Sequence, residues 1–320
     1  MTKTTMETEA GFSVLHNLLQ QIQSCDGKNK DKIEAIVQKF GNEFVSVLLS
    51  LTPRAVQDAD FGEKLLAQIA VAQEPRDLFF DFVEVLIKND LSLDTIVGVF
   101  FEKVYNETYI IERHGIYYDE AFEFQRFIIW EMFIGLTTIL LHTERYCTLN
   151  TLLNRSYYLK RSPQDENPEA STFITFRALL DYIEDCIQPK DENPNLPLVG
   201  KIVVNREKKP IITRQSLVDA DMVLFQLSMI CSSSGHRSHW GWYPMLYVYG
   251  ENNPLIWHNM ISRVHCEKLF PLFGVTELEQ LKEVIEKSKP YKSIAPYPCF
   301  SAPPALIQQC IELEKIGTLP

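Results

Sequence analysis

Hydrophobic residues recur at steps of three and four along most of the chain. The clearest stripe runs through residues 33–51 and ends just before Pro53. Six apolar residues form it: Ile33, Val37, Phe40, Phe44, Val47 and Leu51. Similar stripes follow Ser92, Thr172 and Ser216. Because this spacing places side chains on one face of an α-helix, the sequence predicts a mainly α protein with about ten helices.

One region departs from the helical pattern and predicts a small amount of β-structure. Ile202–Val204 and Ile211–Ile212 flank a charged turn, as the two strands of a hairpin would. Residues 245–249 alternate tyrosine with aliphatic residues over a few positions, which favours a short strand. The predicted fold is therefore a multi-helix bundle or a loose helical-repeat stack, with a minor β-hairpin or short-strand element near residues 200–250.

The same region divides the predicted helices into two groups. Residues 1–187 form an N-terminal helical lobe in this interpretation, and residues 215–320 form a C-terminal helical lobe. Residues 188–214, which include the polar run QPKDENPNLP, form the loop and hairpin between them. A cleft between two lobes is a common place for a ligand, so a small-molecule sensor is one functional hypothesis.

Composition narrows the class of partner. The chain has 320 residues, of which 46% are hydrophobic and 23% charged, so it has enough apolar mass for a core. Its formal net charge of −11 disfavours nucleic-acid binding and fits a basic protein partner. Nucleic acid could be approached only through a weak basic patch within residues 201–214. That patch consists of Lys201, Arg206, Lys208, Lys209 and Arg214.

Cysteine usage and the apolar runs indicate a cytoplasmic protein. Seven cysteines are scattered without a CxxC pair, which is typical of reduced thiols in the cytosol. The first residues, MTKTTMETEAGF, are polar and acidic, unlike a signal peptide. The most apolar run, residues 127–141, contains Glu131 and is shorter than the roughly 20 residues of a membrane span. We therefore expect a buried core helix there and no membrane association.

The stretch CSSSGHRSHWGWYPMLYVYG, residues 231–250, concentrates the residue types that could carry chemistry. It is either a packed corner between helices or a site. Aromatic rings with polar edges often anchor interfaces. The candidates for binding a partner or ligand are His236, Arg237, His239, Trp240, Trp242 and Tyr243. Zinc is the alternative, since it takes Cys and His ligands in tetrahedral sets. Its candidate ligands are Cys231, His236, His239, His265 and Cys266.

The usual sequence anchors of several enzyme classes do not occur. The chain has no GxxxxGK[ST], no GxGxxG after a predicted strand and no GxSxG. ATP hydrolysis, dinucleotide-dependent redox chemistry and serine hydrolysis therefore lack their motifs. We predict no cofactor and assign no catalytic residue. The enzymatic alternative is a metal-dependent hydrolase or nuclease that uses the Cys/His cluster at residues 231–266.

Two stretches resemble helical regions of bacterial anti-phage defence proteins. The first is YYDEAFEFQRFIIWEMFIGLTTILLHTERYCTLNTLLNRSYYL, within residues 117–160. The second is WYPMLYVYG followed by SRVHCEKLFPLFGVTELEQLKEVI. In that group such helical regions often accompany an effector or partner, so the resemblance implies an assembly partner and transfers no functional residue. The leading hypothesis is a non-catalytic interaction or regulatory subunit of a bacterial anti-phage defence complex.

Overall fold

Helices make up nearly all regular structure in the described part of the chain, so the predicted mainly α fold class is confirmed. A computed structural model describes residues 3–25, 30–54, 56–108, 118–161, 166–177, 180–186, 196–206, 209–233, 241–251, 254–288 and 304–320. The stripe at residues 33–51 lies on a helix that ends at Leu51, two residues before Pro53. The residue that precedes a proline is sterically disfavoured in helical geometry, which explains that boundary.

The first of two compact units contains residues 1–133, 156–172 and 179–187. Its regular elements are α1 (Lys3–Ser24), α2 (Lys30–Leu51), α3 (Phe61–Val71), α4 (Gln73–Lys88), α5 (Leu93–Glu107), a 3₁₀ turn (Asp119–Phe122), the first half of α6 (Glu123–His142), β1 (Tyr157–Leu159), β2 (Glu169–Ser171) and α8 (Asp181–Cys186).

The core of this unit is a phenylalanine cluster built from α2, α4 and α5. Phe40 stacks on Phe82 with ring centroids 4.5 Å apart. Phe79 stacks on Phe100 at 5.0 Å, and Phe100 meets the edge of Phe44 at 5.1 Å. Offset and edge-on ring pairs add about 0.5–1.5 kcal/mol each beyond the hydrophobic gain of burial. These contacts fix α4 against the core and leave its other face outward.

Helix α6 is the apolar run that the sequence assigned to the core. Every residue from Phe127 to Leu140 is buried, so the expectation of a core helix is confirmed. The segment Asp119–His142 is long and apolar enough to cross a membrane by length and composition, and 89% of its most apolar window is buried inside the protein. A core helix passes the same test of length and composition. Residues of α6 up to Phe133 belong to the first unit and the following ones to the second.

The second unit contains residues 134–155, 173–178 and 188–320. Its helices are the second half of α6, α7 (Tyr146–Asn154), α9 (Leu198–Asn205), α10 (Arg214–Ser233), α11 (Leu255–His258), α12 (Arg263–Phe273), α13 (Leu278–Lys287) and α14 (Ile307–Cys310). Short 3₁₀ turns occupy Phe173–Phe176, Tyr247–Tyr249, Asn259–Ile261 and Leu313–Lys315. Helix α12 packs on α7, and α10 packs on α13.

The minor β element exists, but its predicted position near residues 200–250 is wrong for the described residues there. Strands β1 and β2 form a two-stranded antiparallel sheet in which Tyr157 lies opposite Ser171. Ile202–Val204 belongs to helix α9, and residues 247–249 form a 3₁₀ turn. Tertiary packing overrides β-propensity here, because a helix buries Leu198, Val199 and Val203 on one side of α9.

The close contact between α9 and the turn at residues 245–249 depends on Gly200. A Cβ added to Gly200 would lie 2.6 Å from the Met245 carbonyl oxygen and 2.7 Å from the Tyr249 ring. Only glycine permits this approach of the helix to the turn at 245–249. Tyr249 closes the contact by donating its hydroxyl proton to the Pro197 carbonyl at 2.6 Å.

The two units do not follow the chain in simple succession. Residues 134–155 and 173–178 join the second unit, whereas the sequence grouped them with the N-terminal lobe at 1–187. A boundary inside α6 cannot be read from composition, because the residues on either side of Phe133 are apolar and carry no linker signal.

Candidate functional site

The described part of residues 231–250 is a packed corner centred on a buried carboxylate. Asp221 is 0% exposed and lies on α10. Its Oδ1 accepts the Trp242 Nε1–H at 2.7 Å, and its Oδ2 accepts the backbone N–H groups of Met245 and Leu246 at 2.7 and 2.8 Å. Burial raises the pKa of Asp221 to about 7, although these three donors oppose the shift.

Further contacts hold Trp242 in place. Its backbone N–H donates to Ser228 Oγ at 3.0 Å, and its ring stacks on Phe173 with centroids 6.1 Å apart. Arg177 donates from Nη1 to the Gly241 carbonyl at 3.1 Å. Trp242 is 1% exposed, so the structure favours a packing role for it over a partner-binding one. Tyr243 is half-buried beside it.

The remaining ligand- or partner-binding candidates cannot be placed. His236, Arg237, His239 and Trp240 lie in residues 234–240, outside the described residues, and nothing is described of the Cys231 side chain. Their proposed roles therefore stay predictions.

The other two candidate zinc ligands bond to nearby backbone carbonyls. His265 Nε2 lies 2.9 Å from the Ile256 carbonyl oxygen, and burial lowers the pKa of His265. The Cys266 thiol donates to the Met260 carbonyl at 3.0 Å, and burial raises its pKa to about 11. To bind zinc, a cysteine must be a thiolate and a histidine must present an unprotonated ring nitrogen. Within the described ranges, no three His, Cys, Asp or Glu side chains converge on one point.

The basic patch at 201–214 is not a continuous solvated surface. Arg206 is buried at the end of α9, and the Arg214 guanidinium lies 5.9 Å from the centroid of the Tyr249 ring. Lys201 and Lys209 are half-buried, and Lys208 lies outside the described residues. Because α9 replaces the first strand of the predicted hairpin, the described cations of the patch do not extend together along one exposed turn.

An open groove of about 450 Å³ lies between α1, α3 and α4 in the first unit. Cavities of roughly 300–1,000 Å³ are typical of binding sites. The residues that line it are His16, Ala70, Val71, Gln73, Glu74, Asp77, Leu78 and Asp81. We call it the α1/α4 groove. Its lining includes three carboxylates and the apolar residues Ala70, Val71 and Leu78, and none of its described lining residues is Lys or Arg.

The carboxylates belong to an acidic stripe along α4, which we define as Glu74, Asp77, Asp81 and Glu84. Their spacing of three, four and three residues places them on one helical face. Between Glu74 and Glu84, all residues of α4 except Asp77 and Asp81 are buried. Sequence reasoning overlooked this stripe, although its spacing is readable in EPRDLFFDFVE.

A buried ion pair fixes the groove wall from inside the first unit. Arg76 Nη1 lies 2.7 Å from Glu131 Oε1, and both side chains are at least 96% buried. Arg76 also donates to Asp77 Oδ1 from Nη2 at 2.8 Å and from Nε at 3.0 Å. Burial acts to lower the pKa of Arg76, but the carboxylates of Glu131 and Asp77 outweigh it and the pKa is raised. The fork of Arg76 therefore orients Asp77 at the groove.

The α1 side of the groove meets the acidic stripe through a histidine. His16 Nε2 lies 3.3 Å from Glu74 Oε1, and both side chains are about half exposed. Ala70 and Val71 at the end of α3 are exposed, and 45% of the surface of Val71 is open to solvent. The groove thus combines negative charge with a small apolar surface, which is suited to binding a cationic, partly apolar group.

Comparison with known proteins supplies no relative. No family model, no curated protein and no solved structure matches this chain. The resemblance to helical regions of anti-phage defence proteins therefore stays a prediction.

Proposed function

We propose that the protein is a non-catalytic interaction subunit that binds a basic segment of a partner protein in the α1/α4 groove. One observation carries the proposal. The groove is open, and its described lining has three carboxylates, three apolar residues and no lysine or arginine. A partner of complementary charge is attracted to this surface, whereas a partner of like charge is repelled from it.

The electrostatic part of the proposal concerns encounter and selectivity. The chain carries a net charge of −11, and a concave surface rich in carboxylates focuses the field that steers an oppositely charged partner, although Asp77 already pairs with Arg76. Each exposed ion pair contributes only about 0.2–1 kcal/mol, so the stripe as a whole matters more than any single carboxylate. Binding of this kind weakens as salt is added, because exposed charges are screened.

The apolar part of the proposal concerns affinity. Ala70 and Val71 are exposed in the groove lining and offer an apolar surface that a partner's aliphatic side-chain atoms can cover. Lysine and arginine suit such a surface because their long methylene stems pack on apolar surface while their charged ends reach carboxylates. A basic segment therefore satisfies both halves of the groove with the same side chains.

The resemblance in sequence suggests a setting for this subunit. We place it within a bacterial anti-phage defence complex, where a helical subunit would hold an effector or regulate it. This setting and the groove are separate parts of the proposal, and either can fail without the other.

The groove is tested with purified full-length protein and labelled peptides of 18 residues. Two peptides share one composition of alanine, leucine and four lysines in different orders, and two matched peptides carry glutamate in place of lysine. Fluorescence anisotropy measures binding to the wild type, to E74Q/D81N and to the control E279Q/E286Q on α13. Both double variants remove two carboxylate charges, so their net charges are equal. We expect a lysine peptide to bind the control and to bind E74Q/D81N about tenfold more weakly.

A second pair of variants tests the groove by shape, without a change in charge. Ala70→Trp places a large ring in the groove, whereas Ala67→Trp adds the same ring at an exposed position of α3 outside its lining. Loss of lysine-peptide binding in A70W but not in A67W supports the proposal. If A70W, A67W, E74Q/D81N and E279Q/E286Q all bind the lysine peptides equally well, binding reflects only attraction to the net charge. The proposal would then be wrong.

A further inference from the structure

We infer that Glu123 is a proton-operated latch, which holds helix α8 on the first unit while its carboxyl carries a proton and loosens α8 as that proton is lost. The latch uses none of the residues that line the α1/α4 groove, so the inference does not depend on the proposed function.

Helix α8 is too short to be stable without contacts to the rest of the first unit. It has six residues, whereas isolated helices shorter than about 12–15 residues are marginal in water. Ile183 is fully buried, and the Tyr182 ring meets the edge of Phe61 with centroids 5.5 Å apart. A short element held by such contacts can open locally while the core of its unit stays folded.

The carboxylate of Glu123 binds the start of α8 directly. Glu123 is the first residue of α6 and is 4% exposed. Its Oε1 accepts the Tyr182 backbone N–H at 2.7 Å, and its Oε2 accepts the Ile183 N–H at 2.8 Å. The first N–H groups of a helix have no acceptor inside the helix, so these two bonds tie the first turn of α8 to α6.

The charges around Glu123 favour its neutral form. Arg126 attracts the Glu123 carboxylate but already donates to both oxygens of Asp119, at 2.7 and 2.9 Å. Asp181, at the start of α8, adds a like charge. Burial is the largest effect and raises the pKa of Glu123 to about 7, although Arg126 and the two backbone donors oppose the shift. Other charged side chains on the neighbouring elements are Glu120 on the 3₁₀ turn, the buried Glu184 on α8, and Asp58, Asp60 and Lys64, which pair at the start of α3.

The direction of the latch follows from the difference in proton binding between the closed and open forms. When α8 separates, water reaches Glu123 and its pKa falls towards the ordinary value of 4.5. Between pH 4.5 and pH 7 the closed form therefore holds a proton that the open form has lost. The stabilisation of the closed form is full below about pH 4.5 and is lost as pH rises through 7. From pH 6 to pH 8 the ratio of open to closed α8 should rise about tenfold.

Opening of α8 would uncover apolar surface. Leu180, Ile183 and Phe61 are each at most 1% exposed in the closed form. Loss of one proton from Glu123 thus controls access to an apolar surface of the first unit.

Hydrogen exchange of the α8 amides in the full-length protein tests the latch. Exchange is followed by mass spectrometry at pH 6 and pH 8, with labelling times adjusted for the pH dependence of the chemical step. Amides of α2 report global opening in the same sample. We expect α8 to open more often than α2 at both pH values, and its opening constant to rise about tenfold in the wild type. The control Glu286→Gln removes one carboxylate charge on α13 and should show the same rise.

Glu123→Gln cannot titrate, so its α8 opening constant should change less than about twofold between pH 6 and pH 8. A tenfold rise in this variant as well would overturn the inference, and so would α8 opening only together with α2. If Glu123→Gln does not fold, the pH profile of the wild type decides instead. The α8 opening constant should then rise most steeply between pH 5 and pH 7 and level off above about pH 8. A flat profile, or one that falls as pH rises, would show that Glu123 is not such a latch.

Discussion

The corner at Asp221 and the α1/α4 groove use the same type of residue for opposite purposes. Asp221 is enclosed, and its two oxygens accept three N–H groups from the chain itself. Asp81 lies at the surface of a groove with two other carboxylates. A carboxylate enclosed by protein donors fixes the backbone around it, whereas one on an open wall can attract a partner. The surroundings, and not the residue type, decide which role a carboxylate has.

The largest effect should come from removing the Asp221 carboxylate. Asp221→Ala leaves the donors of Trp242, Met245 and Leu246 buried without their acceptor. An unsatisfied buried donor costs about 1–3 kcal/mol, so we expect the loss of the acceptor for three donors to lower the free energy of unfolding by at least about 3 kcal/mol. Urea unfolding followed by tryptophan fluorescence measures the change.

Trp242→Phe is the matched control for that variant. It keeps a ring against Phe173 but removes the Nε1–H donor and part of the indole volume, so we expect a loss of about 1–3 kcal/mol. A loss as small for Asp221→Ala as for Trp242→Phe would show that the corner does not depend on its carboxylate.

Breaking the buried Arg76–Glu131 ion pair behind the α1/α4 groove should have the next largest effect on stability. Arg76→Met leaves the buried Glu131 carboxylate without the Arg76 charge, which costs about 3–5 kcal/mol. The double variant R76M/E131M replaces both charges by apolar side chains and should recover most of that loss. Thermal and urea unfolding of the single and double variants measure both numbers. Equal losses in the two would mean that the Arg76–Glu131 pair is not coupled.

The pH dependence of stability separates the two regions further. The pKa of Asp221 is about 7 in the folded protein and near 3.8 when unfolded, so between these values the native state holds a proton that the unfolded state has lost. Stability from this group is therefore full below about pH 4 and declines as pH rises towards 7. Between pH 5 and pH 7 the loss is about 2 kcal/mol.

The Asp221→Asn variant isolates that contribution. Asparagine does not titrate, so the stability of wild type minus that of D221N should decrease from pH 5 to pH 7. The pKa of Glu123 is also raised to about 7 by burial, but Glu123 is present in both proteins and cancels in the difference. A difference that stays constant over this range would contradict the raised pKa of Asp221.

The smallest effect on stability is expected in the groove itself. E74Q/D81N changes partly exposed side chains, so the free energy of unfolding should stay within about 0.5 kcal/mol of the wild type. The same variant is expected to weaken peptide binding about tenfold. Losses of the size expected for Arg76→Met would instead assign the acidic stripe a structural role.

Much of the fold was predictable because helix formation follows local spacing. The stripe that ends at Leu51 and the core helix at residues 127–140 are set by side chains a few positions apart. The hairpin predicted at residues 202–212 failed because valine and isoleucine favour strands only where a strand buries them. At residues 198–205 a helix against the 245–249 turn buries them instead.

The candidate site was harder to predict than the fold. Histidines and tryptophans at residues 231–250 predicted a site because their side chains can bind metals or rings. Trp242, the one tryptophan there that the structure describes, instead packs in the corner at Asp221. The acidic stripe of α4 was present in the sequence as a spacing of three, four and three. Nothing local distinguished it from an ordinary solvated helix face until α1 and α3 were placed beside it.

The sequence by itself determined that the chain is mainly helical and that residues 127–140 form a core helix. Each of these follows from interactions between residues within two helical turns of each other. Only the tertiary structure decided that Asp221 meets Trp242 across 21 positions, that Arg76 meets Glu131 across 55, and that α1 and α3 border the acidic face. These long-range contacts depend on which helices pack together. Helix packing is set by the burial of apolar surface over a whole unit, which short stretches of sequence do not specify.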